Sequence, residues 1–185
     1  METKKIDWQL VILVCSIIII MIMGVRQSLG LFLEPISNFM NSGKEFFSFA
    51  IGIQAIIWGL VTFFLGILID KFGPQKVLAF GIVSFASGIF LMSNPISELT
   101  LFSATTLMGF GLGGAGMATM VSIAGKVAPV NKRSLAMGLV AAAASFGQFA
   151  VVLPTMWMNK EFGWEISLIV LSLKFFFTKY SKFSL

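Results

Sequence analysis

The sequence has no histidine and one cysteine, Cys15, among its 185 residues. A single cysteine forms no disulfide within the chain. Zinc and iron sites are built largely from imidazole and thiolate ligands, so the shortage of these side chains disfavours a metal centre. The chain also offers no constellation of histidine, cysteine and paired carboxylates, which disfavours an enzyme. From these absences we expect neither a metal nor any other cofactor.

Charged residues are scarce as well. They make up 11% of the chain and hydrophobic residues 57%, whereas soluble domains have about 25% charged residues and roughly 45–50% apolar residues. A chain of this composition cannot cover its surface in water, so we expect an integral membrane protein surrounded by the lipid bilayer. The net charge of +5 does not indicate a nucleic-acid partner, because the basic residues lie in short loops between apolar runs instead of one patch.

The apolar runs predict a series of membrane-spanning helices. Each of the first five is close to the ~20 residues that cross ~30 Å of hydrocarbon. The predicted spans are 9–33, 47–69, 76–93, 99–122 and 134–157, with a partial sixth at 165–177 that Lys174 interrupts. We expect the first run to be a retained span and not a secretory signal, because no small-residue cleavage site follows it. We therefore predict an all-α, polytopic membrane helical bundle that forms a single transmembrane domain over 1–185.

Basic residues are divided unevenly between the two sides of these spans. One side carries seven of them in its loops and N-terminus, with three more in the C-terminal tail, and the other side carries Lys44 and Lys160. Short cytoplasmic loops are enriched in lysine and arginine. The asymmetry predicts that the N-terminus and the loop at 123–133 are cytoplasmic.

A short polar turn joins the second and third predicted spans. Its glycine and charged residues are Gly66, Asp70, Lys71, Gly73 and Lys76. Gly73 is suited to end a helix because glycine adopts the left-handed backbone conformation without steric cost. The proline that follows it favours the first turn of the next helix. The pattern predicts a tight hairpin with charged residues at the membrane surface.

This turn resembles the cytoplasmic loop between helices two and three of the major facilitator superfamily. Segments 26–35, 47–51 and 132–138 likewise resemble the monocarboxylate and oxalate/formate antiporter branch of that superfamily, including its bacterial members. The resemblance implies the N-terminal half of a major facilitator fold in a bacterial inner membrane, with a missing C-terminal half as its partner. It also implies that Gly66, Asp70, Lys71, Gly73 and Lys76 form a gating motif that docks on that other half.

One arginine, Arg26, lies within the first predicted span. It shares a polar, small-residue side of the helix with Gln27, while the opposite side is aliphatic and is expected to face lipid. An arginine inside a span is costly and usually faces a cavity or a partner, and its guanidinium matches a carboxylate. Arg26, Gln27 and Gln54 are the candidate substrate-binding residues. The alternatives for Arg26 are snorkelling to the outer headgroups or a structural salt bridge.

Small residues mark the second and fourth predicted spans. The second carries them at spacings of three and four, at Gly52, Ala55, Gly59, Thr62 and Gly66. Such a seam lets another helix approach closely in lipid. The fourth span contains five glycines between 109 and 116, which predict close packing or a bendable helix. They do not predict a nucleotide loop, because no Lys-Ser/Thr pair follows them.

Taken with the resemblance, these features predict a secondary active transporter of small organic anions, of monocarboxylate or oxalate/formate type. It would work by alternating access, and the chain would be an inactive N-terminal fragment of it. The alternative is a half-size membrane protein that acts as a homodimeric transporter or channel. A channel would need polar faces on several helices, and the first span alone has one.

Overall fold

Helices account for nearly all of the backbone that the structure describes. The computed structural model describes the backbone of residues 8–182 and the side chains of residues 8–175; Lys4 and Lys5, which enter the count of basic residues, lie outside them. Across the described part the chain forms nine α-helices, joined in two places by short 3-10 turns at Leu29–Phe32 and Val130–Lys132. The helices are α1 Trp8–Ser28, α2 Leu33–Phe39, α3 Lys44–Phe72, α4 Pro74–Met92, α5 Glu98–Ala115, α6 Met117–Val127, α7 Arg133–Ala150, α8 Val152–Phe162 and α9 Trp164–Lys182.

Five helical segments of the described chain are long and apolar enough to cross a membrane. They are Trp8–Phe39, Lys44–Phe72, Pro74–Met92, Glu98–Val127 and Val130–Phe162. The prediction of an all-α bundle with five complete spans is therefore confirmed. Helix ends do not locate the hydrocarbon layer, so the predicted span limits stay predictions. α9 continues past the predicted end of the partial sixth span and packs against α4.

Two glycines make the sharpest turns between helices. Gly73 lies alone between α3 and α4 with φ 85°, and Gly163 lies alone between α8 and α9 with φ 84°. A side chain at either position would be strained, because positive φ is costly for residues with a Cβ. Gly73 donates its N–H to the carbonyl of Ile69 at 3.0 Å, which ends α3 as the sequence predicts. One-residue turns of the same kind thus close both hairpins.

The glycines of the fourth span pack closely against neighbouring helices, as predicted. A Cβ built on Gly111 would lie 2.5 Å from Cβ of Phe85 in α4. One built on Gly114 would lie 2.8 Å from Cα of Gly81 in α4, and one built on Gly113 would lie 2.8 Å from a methyl carbon of Val61 in α3. α5 therefore packs in the groove between α3 and α4, held by dispersion at backbone distance.

The fourth span is also broken near its middle. Gly116 has ψ −167° and separates α5 from α6. The hydroxyl of Thr119 donates to the carbonyl of Gly113 at 3.3 Å, which satisfies one carbonyl left without a helical partner. Beyond the break, α6 packs against α7 and α1, while α5 packs against α3 and α4. The glycine run thus lets one span contact two groups of helices.

The expected lipid-facing side of the first span is instead buried. Ile22, Val25 and Phe32 are 0% exposed and lie in the main hydrophobic core. Gly24, on the small-residue side, is buried too and contacts Val151 and Gly147. The prediction that the aliphatic side faces lipid was wrong. Lipid tails and protein cores are equally apolar, so periodicity alone does not tell which of them an aliphatic side contacts.

The small-residue seam of α3 is open in this structure. A Cβ built on Gly52, Gly59 or Gly66 would meet nothing within 4 Å. The expected close approach of another helix to this seam therefore does not occur among the described residues. α3 instead packs against α5 through another face, where Gln54 and Leu65 are buried.

Candidate functional site

The three candidate substrate-binding residues line one cavity between the first span and α3. Its volume is about 270 Å³, and its walls are Arg26, Gln27, Leu29, Gly30, Leu33, Phe47, Ser48, Ile51 and Gln54. Residues distant in sequence meet here because α1 and the turn after it supply one wall and the first half of α3 supplies the other. The structure thus brings together Arg26, Gln27 and Gln54.

Arg26 is half-buried and lies over an aromatic ring. Its Cζ lies 4.7 Å from the ring centroid of Trp58. Its Nε is buried, and none of the described residues offers this atom a hydrogen-bond partner. An N–H group without a partner in an apolar environment costs free energy. Arg26 therefore carries its positive charge with at least one donor unsatisfied by the protein.

Gln54 is the second buried polar group of the cavity. The residue is 1% exposed, and its Nε2 has no hydrogen-bond partner among the described residues. A Cβ built on Gly109 in α5 would lie 2.9 Å from the carbonyl oxygen of Gln54. The glycine thus allows α5 to contact α3 at this level and fixes the backbone that presents Gln54. Two donors, one charged and one neutral, are therefore left without protein acceptors.

The other residues of the walls offer few hydrogen-bond acceptors to Arg26 and Gln54. Gln27 is exposed, and the hydroxyl of Ser48 donates to the carbonyl of Lys44 at 2.9 Å. The other lining side chains are aliphatic or aromatic, and none of the described residues that form the walls is Asp or Glu. The cavity is therefore a small, largely apolar chamber with a net positive charge.

The candidate gating motif lies at the far end of α3. Asp70 accepts a hydrogen bond from Nζ of Lys126, the last-turn cation of α6, with a distance of 2.7 Å between Nζ and Oδ1. Both side chains are largely exposed, so water screens their attraction. Lys71 extends over the ring of Phe72 at 5.3 Å. The pair joins the end of the second span to the end of the fourth.

The other motif residues have different surroundings. Gly66 lies on the open seam of α3, and Gly73 forms the positive-φ turn. Lys76 borders a second, apolar cavity of about 460 Å³ between the ends of α3 and α4. The structure therefore brings Asp70 to Lys126 but does not gather all five motif residues around one point.

Sequence reasoning missed two contacts at these sites. Lys126 was not recognised as the partner of Asp70, and Trp58 was not recognised as the ring beneath Arg26. A signal existed for Trp58, because it lies one helical turn after Gln54 on α3. A weaker signal existed for Lys126, which lies on the same predicted side of the membrane as Asp70.

Comparison with known proteins agrees with this architecture. The sequence profile of the Major Facilitator Superfamily matches residues 12–178. The chain is 31% identical over 98 residues to the "Uncharacterized MFS-type transporter YcxA" of Bacillus subtilis (strain 168), which covers 53% of this chain and 23% of that protein. It is 27% identical over 108 residues to the "Agnestins efflux protein AgnL12" of Paecilomyces divaricatus, which covers 57% of this chain and 24% of that protein.

The matched stretches span about a quarter of the length of these two curated relatives. The profile match, by contrast, extends over most of this chain and includes four of the long apolar helices in full and nearly all of the first. On these grounds the chain is an integral membrane protein and belongs to the major facilitator superfamily, a class of membrane transporters.

Proposed function

We propose that this protein takes part in secondary active transport of small organic anions, of monocarboxylate or oxalate/formate type, by alternating access. One observation carries the proposal. Arg26 Nε and Gln54 Nε2 are both buried, both lack a hydrogen-bond partner among the described residues, and both belong to the walls of one cavity. Neither atom is accessible to solvent in this structure, so a ligand that supplies acceptor oxygens would satisfy both groups once the two side chains turn toward the cavity.

The chemistry of the walls favours an anion. A guanidinium and a carboxylate form charge-assisted, often bidentate hydrogen bonds, which are roughly twice as strong as neutral ones. The described walls contain no Asp or Glu, so no lining side chain carries a negative charge that would repel the ligand. The place of Arg26 in the cavity wall and its contact with Trp58 of α3 support a role at the cavity over snorkelling to the headgroups.

The size of the cavity favours a small ligand. Sites for drug-sized molecules usually have volumes of about 300–1,000 Å³, and this half-open cavity has a volume of about 270 Å³. An acid of a few carbon atoms suits this volume. The aliphatic and aromatic walls would contact its carbon atoms, while Arg26, Gln27 and Gln54 would bind its oxygens.

For the gate we propose the hairpin motif. Gly66, Asp70, Lys71, Gly73 and Lys76 would dock on a second body when the cytoplasmic side closes. The ion pair between Asp70 and Lys126 supports this role, because an exposed and weak pair can exchange partners at low cost. The excess of basic residues on the same side supports an N-terminus in the cytoplasm, in keeping with an inner membrane of bacterial type.

Alternating access requires a second body that moves against this one. The open seam at Gly52, Gly59 and Gly66 supports such a partner. We propose that this partner is a C-terminal half of the transporter, and the alternative is a second copy of this chain in a homodimeric transporter or channel. Saturable uptake of a carboxylate by liposomes that contain this chain alone would favour the second copy, whereas no uptake would favour the C-terminal half.

Binding of carboxylates to the chain in nanodiscs tests the proposal directly. Arg26→Gln should weaken the binding of pyruvate and oxalate at least tenfold, because the charged donor is lost. Arg26→Lys keeps the charge and serves as the control for folding and for the loss of bidentate geometry. If Arg26→Gln leaves the affinity unchanged, this arginine has a structural role and the proposal is refuted.

A further inference from the structure

We propose that Trp58 is a positioning residue for Arg26: the indole holds the guanidinium by stacking and leaves its hydrogen-bonding edge free for the anion. This inference rests on the proposed function, since it concerns how the same site would bind its ligand. The inference gives a role to Trp58, which does not line the cavity. It also explains why no acidic residue among the described walls pairs with Arg26.

The contact geometry leads to this assignment. With Cζ of Arg26 at 4.7 Å from the ring centroid, the guanidinium is within the ≈ 6 Å range of cation–π attraction. The N–H groups of a guanidinium lie in its plane. A guanidinium that lies flat on a ring uses its face and no N–H donor, and we infer this arrangement because the buried Nε lacks a partner among the described residues.

Trp58 is itself held in place by the fold. It lies in α3 one turn after Gln54, whose backbone is fixed by close contact with Gly109 of α5. The indole Nε1 lies 3.6 Å from the position that a Cβ on Gly116 would occupy. The ring thus lies between Arg26 and the break that separates α5 from α6. Three spans of the bundle meet at this point.

An aromatic partner solves a specific problem for an anion site. An unpaired arginine inside a membrane span is costly, and the usual remedy is a carboxylate partner. A carboxylate would occupy the in-plane donors and compete with the anion that the site is to bind. The ring quadrupole of tryptophan stabilises the cation and contributes no negative charge. Arg26 is thereby stabilised without a carboxylate that competes for its donors.

A measurement without any ligand tests the contact. In a variant in which Trp8, Trp157 and Trp164 are replaced by phenylalanine, all tryptophan fluorescence comes from Trp58. Arg26→Gln in this background should shift the emission maximum and change the emission intensity, since the cation next to the indole is removed. An emission spectrum that is unchanged by Arg26→Gln would overturn the inference and leave the proposed function standing.

The affinity for pyruvate and oxalate tests whether the contact between Trp58 and Arg26 contributes to anion binding. Trp58→Leu should weaken the binding of pyruvate and oxalate roughly tenfold, the effect of losing a partly desolvated cation–π contact, whereas Trp58→Phe should retain most of the affinity. Trp157→Leu is the control, because this exposed tryptophan contacts Phe162 and does not line the cavity. In an Arg26→Gln background, Trp58→Leu should cost no further affinity.

The outcomes separate the two proposals. If Arg26→Gln weakens binding and Trp58→Leu does not, the positioning role fails and the anion site stands. If Trp58→Leu still costs tenfold without Arg26, Trp58 contacts the ligand directly and the positioning role again fails. If neither pyruvate nor oxalate binds the unmodified chain, the proposed function falls, and this inference falls with it.

Discussion

Replacement of Gly81 by alanine tests the packing that organises the bundle. A Cβ at this position would lie 2.5 Å from the backbone nitrogen of Ala115 and 2.6 Å from the carbonyl carbon of Gly114. Carbon atoms in favourable contact are about 3.5–4.0 Å apart, so α4 and α5 would have to separate by about 1 Å. These are backbone atoms, which cannot rotate away as a side chain can.

The expected loss of stability in Gly81→Ala is best measured against the same replacement at a second glycine. Gly59 lies on the open seam of α3, where an added Cβ meets nothing within 4 Å. Both replacements gain the same helix propensity, roughly 1 kcal/mol, so this gain cancels in the difference between the two variants. Overpacking costs about 1–3 kcal/mol. We expect Gly81→Ala to be less stable than Gly59→Ala by that amount.

Unfolding in mixed micelles, titrated with SDS and followed by circular dichroism, measures this difference. The two variants should be compared with the unmodified chain at the same lipid and detergent composition. Gly59→Ala should be as stable as the unmodified chain or slightly more stable. Equal free energies of unfolding for Gly81→Ala and Gly59→Ala would refute the close approach of α4 and α5 and, with it, the packing role of the glycines in the fourth span.

Two further predictions concern orientation and the hairpin motif. In a Cys15→Ser background, a cysteine at Ser42 should react with an impermeant thiol reagent outside intact cells and one at Asn131 should not; the reverse labelling would invert the proposed topology. Asp70→Asn should change the free energy of unfolding by no more than about 1 kcal/mol, because its pair with Lys126 is largely exposed. Loss of transport by the full transporter in that variant would indicate that Asp70 acts in gating. Normal uptake would show that Asp70 has no role in the gate.

The helical class and the turns could be predicted from local sequence. Runs of apolar residues leave the backbone only helices as a way to satisfy its hydrogen bonds in lipid, and all five long helices were expected. The hairpin at Gly73 could be predicted because positive φ is a property of one residue and its neighbours. The family followed from the same local pattern, which the profile match over residues 12–178 bears out.

Contacts between distant residues depend on how the helices pack. Periodicity divided α1 into two sides, but only the packing of the core against it showed that the aliphatic side is buried while Gln27 on the polar side is exposed. The same holds for Arg26 and Trp58, which are separated by α2 and the first half of α3, and for Asp70 and Lys126, which are 56 residues apart. In a bilayer, the free energy of an apolar helix side changes little when it contacts protein instead of lipid hydrocarbon. Helix association is therefore decided by shape and close packing between the helices, and these arise only when the whole bundle has assembled.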